Sequence, residues 1–427
     1  MNNIKFRLIA MNFLQFAVWG SYLTSMGSML ANLGLAKNIG IFYAMQGIVS
    51  LFMPAIIGII ADRKIQAQRL LGICHLLAAL FMTASAYVIN TATGTPDLNL
   101  LLTLYTLSVA FYMPTLALSN SVAYTALEKN GLDTVAAFPP IRVWGTVGFI
   151  CAMLVCDFAG FQTTYMQFYQ SAILGVVLAG YAMTLPTCPV NTSQDKRSFI
   201  DSFGLRAFAL FKQKKMAMFF IFSMLLGVSL QITNSFANLF ITSYEGISEY
   251  ANTFAAQHAN ALISLSQISE TLCILLIPFF LKRFGIKIVM LIAMFAWVLR
   301  FGLFGVGNPG DGVWMFVLSM IVYGVAFDFF NISGSLFVNN ETDASIRSSA
   351  QGLFMIMTNG IGATVGTLGA QAVVDHFVLS KSTPMAIVEG WQTTWLIFAG
   401  YALVVALAFW ALFKYKHEPN KLTNIQH

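Results

Sequence analysis

The chain of 427 residues is 58% hydrophobic and only 9% charged, with a mean hydropathy of +0.74. A water-soluble domain carries about a quarter charged residues, so this composition excludes a soluble globular protein. The net charge of +6 would suit a nucleic-acid partner only if the basic residues were gathered on a solvated domain, and they are not.

Apolar stretches long enough to cross a bilayer, about 20 residues each, recur along the whole chain. In order they cover 5–32, 36–60, 69–90, 98–127, 138–160, 165–185, 215–243, 252–280, 286–305, 311–338, 346–375 and 391–414. Continuous runs of this length predict helices, because backbone groups in lipid need internal partners and a barrel would alternate in stretches of about ten residues. The first run, "IKFRLIAMNFLQFAVWGSYL", lacks a following small-residue cleavage site and is expected to be a retained helix. The cysteines, Cys74, Cys151, Cys156, Cys188 and Cys273, fall mostly inside spans without metal-ligand spacing and are expected to be core or lipid-facing thiols.

The basic residues sort by side. Arg63, Lys64, Arg69, Lys129, Lys282, Arg283, Lys287, Arg347 and Lys414 lie with most of the others on one side of this topology, and only Lys37 and Lys381 fall in loops on the other. The positive-inside rule then places both termini in the cytoplasm. The basic excess is an orientation signal.

One long polar stretch, 189–214, beginning "PVNTSQDKRSF", interrupts the middle of the chain. The expected organisation is an N-terminal six-helix bundle over 1–188, a cytoplasmic linker over 189–214, and a C-terminal six-helix bundle over 215–427 with a short cytoplasmic tail. Two such blocks match the parallel-repeat plan of secondary transporters. An internal echo agrees: "GIIADRKIQAQRLL" follows the second span and "PFFLKRFGIKIVML" follows the eighth.

Ionisable residues inside spans cost about 2.5–3.5 kcal/mol each on insertion scales and mark function by default. Away from helix ends these are Arg142, Glu270, Arg300 and Asp328. They could also serve as an ion-pair network that only ties helices together. Residues three, four or seven apart share a helix face, which groups Arg142 with Thr146 and Phe149, Gln231 with Asn234 and Asn238, Gln267 with Glu270, and Asp328 with Asn331 and Ser335. The first span contributes Gln15, Trp19 and Tyr22. Such stripes on separate helices suit a shared aqueous cavity. Arg300 fits a structural pairing role better than ligand contact.

Gly58, Asp62 and Arg63 match the loop motif of the major facilitator superfamily. The segments "FPPIRVWGTVGFI", "FFIFSMLLGVSLQITN", "SLSQISETLCILLIPFFLKRFGIK", "LSMIVYGVAFDFFNISGS" and "WQTTWLIFAGYAL" resemble the nucleoside/proton symporters of that superfamily, in the nucleoside permease and xanthosine permease branch. The resemblance runs over nearly the whole chain, from "NFLQFAVWGS" to "KYKHEP". It implies an all-α integral membrane protein, twelve transmembrane helices in two six-helix bundles of the major facilitator fold around a central cavity. It also implies proton-driven uptake of nucleosides across the bacterial inner membrane by alternating access, with no enzymatic activity and no cofactor besides the co-transported proton.

Carried over by resemblance, the substrate residues are Arg142, Thr146, Gln231, Asn234, Gln267, Glu270 and Asp328, joined by Phe149 and Phe327. The residue chemistry agrees. Ribose hydroxyls donate and accept, carboxylates and amides meet both roles, and Phe149 or Phe327 offers a flat face to a base. A phosphate would need several cations, and only Arg142 and Arg300 are present. Asp328 and Glu270 are the candidate proton carriers, since a partly desolvated carboxyl can take up a proton near neutral pH. The glycines of "NGIGATVGTLGA", with Gly362 and Gly366, and Gly145 and Gly148 in the fifth span, are placed for close helix approach.

The expected partners are a purine or pyrimidine nucleoside and the lipid bilayer, with no nucleic acid and a monomeric state. The alternatives are a sugar/proton symporter of the same superfamily and an intramembrane enzyme or sensor. For the last, no G-x-S-x-G, H-E-x-x-H or phosphate-loop motif is present in the sequence.

Overall fold

The computed structural model describes residues 2–189, 205–343 and 346–415. Most of the expected linker and the tail after 415 lie outside these residues, as do the side chains of Asp62 and Arg63 from the loop motif. Among the described residues there are helices and no strands. Eight of the helices are long and apolar enough to cross a membrane, or nine if the bent pair Ala36–Ser50 and Met53–Ala61 forms one span.

That number is below the dozen apolar runs in the sequence, for local reasons. The first run is helical over Asn2–Gly20 (α1) and Met26–Asn32 (α2), with turns at 21–25 between them. The second comprises Ile39–Ser50 (α3) and Met53–Arg63 (α4), with Pro54 in the first turn of α4 and a 40° bend between them. Ala67–Thr91 (α5), Leu98–Lys129 (α6) and Thr134–Phe158 (α7) follow, and then Met166–Ala182 (α8), which has only 17 residues. After Lys214–Thr242 (α9), two expected runs share one 48-residue helical stretch, Ala259–Val306 (α10). Gly285 interrupts it with φ of +76°, a left-handed conformation that only glycine adopts readily. The chain closes with Val313–Glu341 (α11), Arg347–Met355 (α12), a π-helical stretch Ile356–Gly362, Ala363–Phe377 (α13) and Pro384–Leu412 (α14).

Chemical signals set these boundaries. Asp97 caps α6 by accepting from the Leu100 N–H at 2.8 Å. Asn308 Oδ1 accepts from the Gly310 and Gly312 N–H groups, closing the turn before α11. In the break at 21–25 the Leu23 carbonyl meets the Tyr43 hydroxyl at 2.5 Å, so the irregular backbone has a protein partner.

The chain divides into two compact units, Met1–Arg197 and Ser198–Gln426. In the first, α1 and α7 pack backbone to backbone: a Cβ on Gly148 would run into the Phe13 carbonyl, and one on Gly20 into the Phe149 carbonyl. The core behind them includes Leu8, Met11, Leu71, Val122 and Leu178. In the second unit α9 meets the π stretch and α13 in the same way, with Gly366 against the Val228 carbonyl and Gly362 against that of Met224. Large apolar side chains such as Leu80, Leu275, Val404 and Trp410 are exposed at 60%, 75%, 67% and 61%. Such outward faces suit hydrocarbon rather than water.

Candidate substrate site

In the first unit the candidate residues gather on the seam between α1 and α7. The Arg142 guanidinium lies over the Phe16 ring, 3.9 Å from its centre. One turn on is the half-buried Thr146, and beyond it the buried Phe149 meets Trp19 edge-on at 6.2 Å. Trp19 in turn tilts against Tyr112 at 6.1 Å and donates from Nε1 to Gln46 Oε1 at 3.2 Å. Gln46 passes the connection to the Tyr105 hydroxyl at 2.7 Å. An aromatic wall with one guanidinium results.

Gln15 and Tyr22, which share the first span with Trp19, turn inward and are fully buried. Gln15 Nε2 donates to Thr115 Oγ1 and its Oε1 meets His75 Nε2, both at 2.7 Å, while the Tyr112 hydroxyl donates to the Gln15 carbonyl at 2.8 Å. These bonds occupy Gln15 within the bundle and tie α1 to α5 and α6.

In the second unit Asn234 Nδ2 donates to Gln231 Oε1 at 2.7 Å along α9. Asn238, on the same face, instead donates to Asn260 Oδ1 at 2.9 Å and so braces α9 against α10. Gln267 and Glu270 are half-buried one turn apart on α10. Asp328 is 5% exposed on α11, and Phe327 beside it is half-buried and stacked on Tyr323, with centroids 5.7 Å apart and planes within 3°. Beside them the backbones of α10 and α11 touch: a Cβ on Gly324, one turn before Asp328, would run into the carbonyl of Ser269, the residue before Glu270. The structure thus brings Glu270, Phe327 and Asp328 to one neighbourhood of this unit.

Arg300 is buried at 2% exposure. Its Nη1 donates to the Ser319 carbonyl at 2.7 Å and to Ser266 Oγ at 3.4 Å, and the Ser319 hydroxyl returns a bond to the Arg300 carbonyl at 2.9 Å. Tyr323 and Phe304 rings flank the guanidinium at 4.6 and 5.3 Å. No carboxylate among the described residues pairs with it. It binds the two arms of α10 to α11 through carbonyl, hydroxyl and π contacts rather than through an ion pair.

Tyr323, Phe16 and Gln46 were not singled out by the sequence patterns. Tyr323 was within reach, since it precedes Phe327 by one helical turn. No group of three His, Cys, Asp or Glu residues poised for a metal ion occurs among the described residues, and the cysteines are free thiols, buried except for Cys151.

The profile of the family described as "Nucleoside H+ symporter" matches residues 1–418. The chain is 49% identical over 418 residues to the nucleoside permease NupG of Escherichia coli (strain K12), covering 97% of each. It is 47% identical over 425 residues to the xanthosine permease of the same organism, covering 98% of each. A crystal structure of nucleoside transporter NupG superposes with a TM-score of 0.88 at 47% identity, over 97% of this chain and all of that one. A match of this length and identity leaves one conclusion: the chain is a multi-pass membrane transporter that belongs to the nucleoside H+ symporter family.

Proposed function

We propose that the chain takes up nucleosides together with protons by alternating access, as a monomer of twelve spans in two six-helix bundles around a central cavity. The bacterial inner membrane is its proposed location, with both termini in the cytoplasm, as the sorting of basic residues supports. The observation that carries the reading is the close approach of α10 and α11 at Ser269 and Gly324, which sets Glu270 and Asp328 beside the stacked Tyr323–Phe327 pair. It joins carboxyls that can hold ribose hydroxyls or a proton to a flat apolar face that suits a base.

In this reading Gln231 and Asn234 address the amide-like edge of the base. Arg142 supplies a charge-assisted donor, with Thr146 and Phe149 beside it. Gln267 and Glu270 hold hydroxyls. Asp328 loads a proton while the site faces outward and releases it to the cytoplasm. A neutral carboxyl can donate a hydrogen bond to the ligand, so substrate binds best in the protonated state.

Moving one charge through 100 mV is worth about 2.3 kcal/mol, or about fifty-fold in concentration. A neutral nucleoside gains that force only through a proton held by the protein. Uptake of labelled uridine, adenosine and xanthosine, with and without a protonophore, tests the proposal. Protonophore-sensitive accumulation of at least one is expected. Accumulation of none, or uptake competed by hexoses instead, would overturn it.

A further inference from the structure

Phe16 lies beneath Arg142. The guanidinium carbon stands 3.9 Å from the ring centre, which is stacking distance, and both side chains are half-buried. The contact joins α1 to α7 in the seam where Gly148 touches Phe13 and Gly20 touches Phe149. Gly145 makes room for it. A Cβ at that position would lie 2.6 Å from the Phe16 ring and 2.9 Å from Arg142 Nη1, so the slot exists because residue 145 has no side chain.

A guanidinium is planar, and its N–H bonds lie in that plane. The Phe16 ring covers one face of the guanidinium, a direction in which no N–H points, so the contact itself consumes no donor. Fixing the rotamers of a long arginine side chain on binding costs affinity. The ring removes part of that cost before the ligand arrives.

We infer that Phe16 is a positioning residue for nucleoside binding, acting through Arg142: the ring seats the guanidinium so that its N–H edge addresses oxygens of the ligand. The inference rests on the reading that Arg142 contacts substrate. A lysine at 142 would not reproduce the arrangement, because an ammonium is a point charge without a planar fork.

The test measures KM and Vmax for whichever of uridine, adenosine or xanthosine the cells accumulate, normalised to transporter in the membrane. The variants are Phe16→Leu, Phe16→Tyr, Arg142→Gln and the double variant Phe16→Leu/Arg142→Gln. Phe16→Leu should raise KM about 3- to 30-fold, the span of a cation–π contact from exposed to desolvated, with little change in Vmax. Phe16→Tyr keeps the ring and should stay near the parental KM. On the Arg142→Gln background Phe16→Leu should add nothing, since the ring then has no guanidinium to seat.

A parental KM for Phe16→Leu, or a full additional loss in the double variant, would overturn the inference while leaving Arg142 as a ligand. If Arg142→Gln alone keeps the parental KM, the substrate role of Arg142 fails, and this inference with it. Should Phe16→Leu not reach the membrane, Phe16→Met is read against the same outcomes.

Discussion

Asn234 donates a 2.7 Å hydrogen bond to the side-chain carbonyl of Gln231, one turn before it on α9. The bond leaves the Gln231 amide nitrogen as a donor and the Asn234 side-chain oxygen as an acceptor, adjacent on one helix face. That donor–acceptor pair complements the amide-like edge of a nucleobase. Asn234→Ala and Gln231→Ala should each raise the KM for nucleoside uptake, by about 5- to 10-fold for a lost neutral hydrogen bond. The double variant should cost less than the product of the two, because either change already releases the other side chain. Full multiplicative loss in concentration-dependent uptake would show that the two amides act separately.

Arg300 tests the opposite role. Its hydrogen bonds to Ser319 and Ser266 and its place between Tyr323 and Phe304 make it a tie between helices. Arg300→Ala removes those contacts and leaves a cavity, a loss of about 2–4 kcal/mol. The thermal midpoint of the purified protein in detergent should fall by several degrees. An unchanged midpoint would mean that the tie contributes nothing to stability.

The glycine seams give a sharper packing test. Gly366→Ala drives a methyl group into the Val228 carbonyl, whereas Gly369, one turn along α13, has nothing within 4 Å of an added Cβ. Gly366→Ala should destabilise the protein by about 1–3 kcal/mol and reduce uptake, and Gly369→Ala should behave as the parent. Equal thermal midpoints for the two variants would contradict the backbone contact between α9 and α13.

Selectivity follows from charge. Arg300 is engaged within its unit by Ser319 and Ser266, which leaves Arg142 as the in-span cation proposed for ligand contact. A phosphate of about two negative charges therefore lacks the cluster of cations it needs. Nucleosides should compete for uptake and the matching monophosphates should not. Strong inhibition by a monophosphate would contradict the proposed ligand chemistry.

Much of this was legible in the sequence, and the exceptions have physical causes. The Gln231–Asn234 pair follows from i,i+3 spacing on a helix, and Asp328 and Glu270 stand out because a carboxyl in an apolar run is costly. Phe16 could not be picked from 38 phenylalanines, because composition does not say which ring has a guanidinium above it. Gln15 looked equivalent to Trp19 by periodicity, yet its bonds to Thr115 and His75 point into the bundle. Tertiary partners, not spacing, decide which polar residues on one helix face a ligand. The apolar runs located the helices, while the turns at 21–25, the bend between α3 and α4 and the left-handed Gly285 depend on backbone conformation that hydropathy does not encode.

The most direct test of the account is counter-gradient accumulation by Asp328→Asn reconstituted in vesicles with an imposed proton gradient. The asparagine imitates the protonated acid but releases no proton. Uphill accumulation of nucleoside should be abolished, while exchange of labelled for unlabelled nucleoside across preloaded vesicles should persist. Glu270→Gln, by comparison, should weaken binding and transport together. Accumulation by Asp328→Asn that remains uphill and collapses with a protonophore would contradict Asp328 as the proton site.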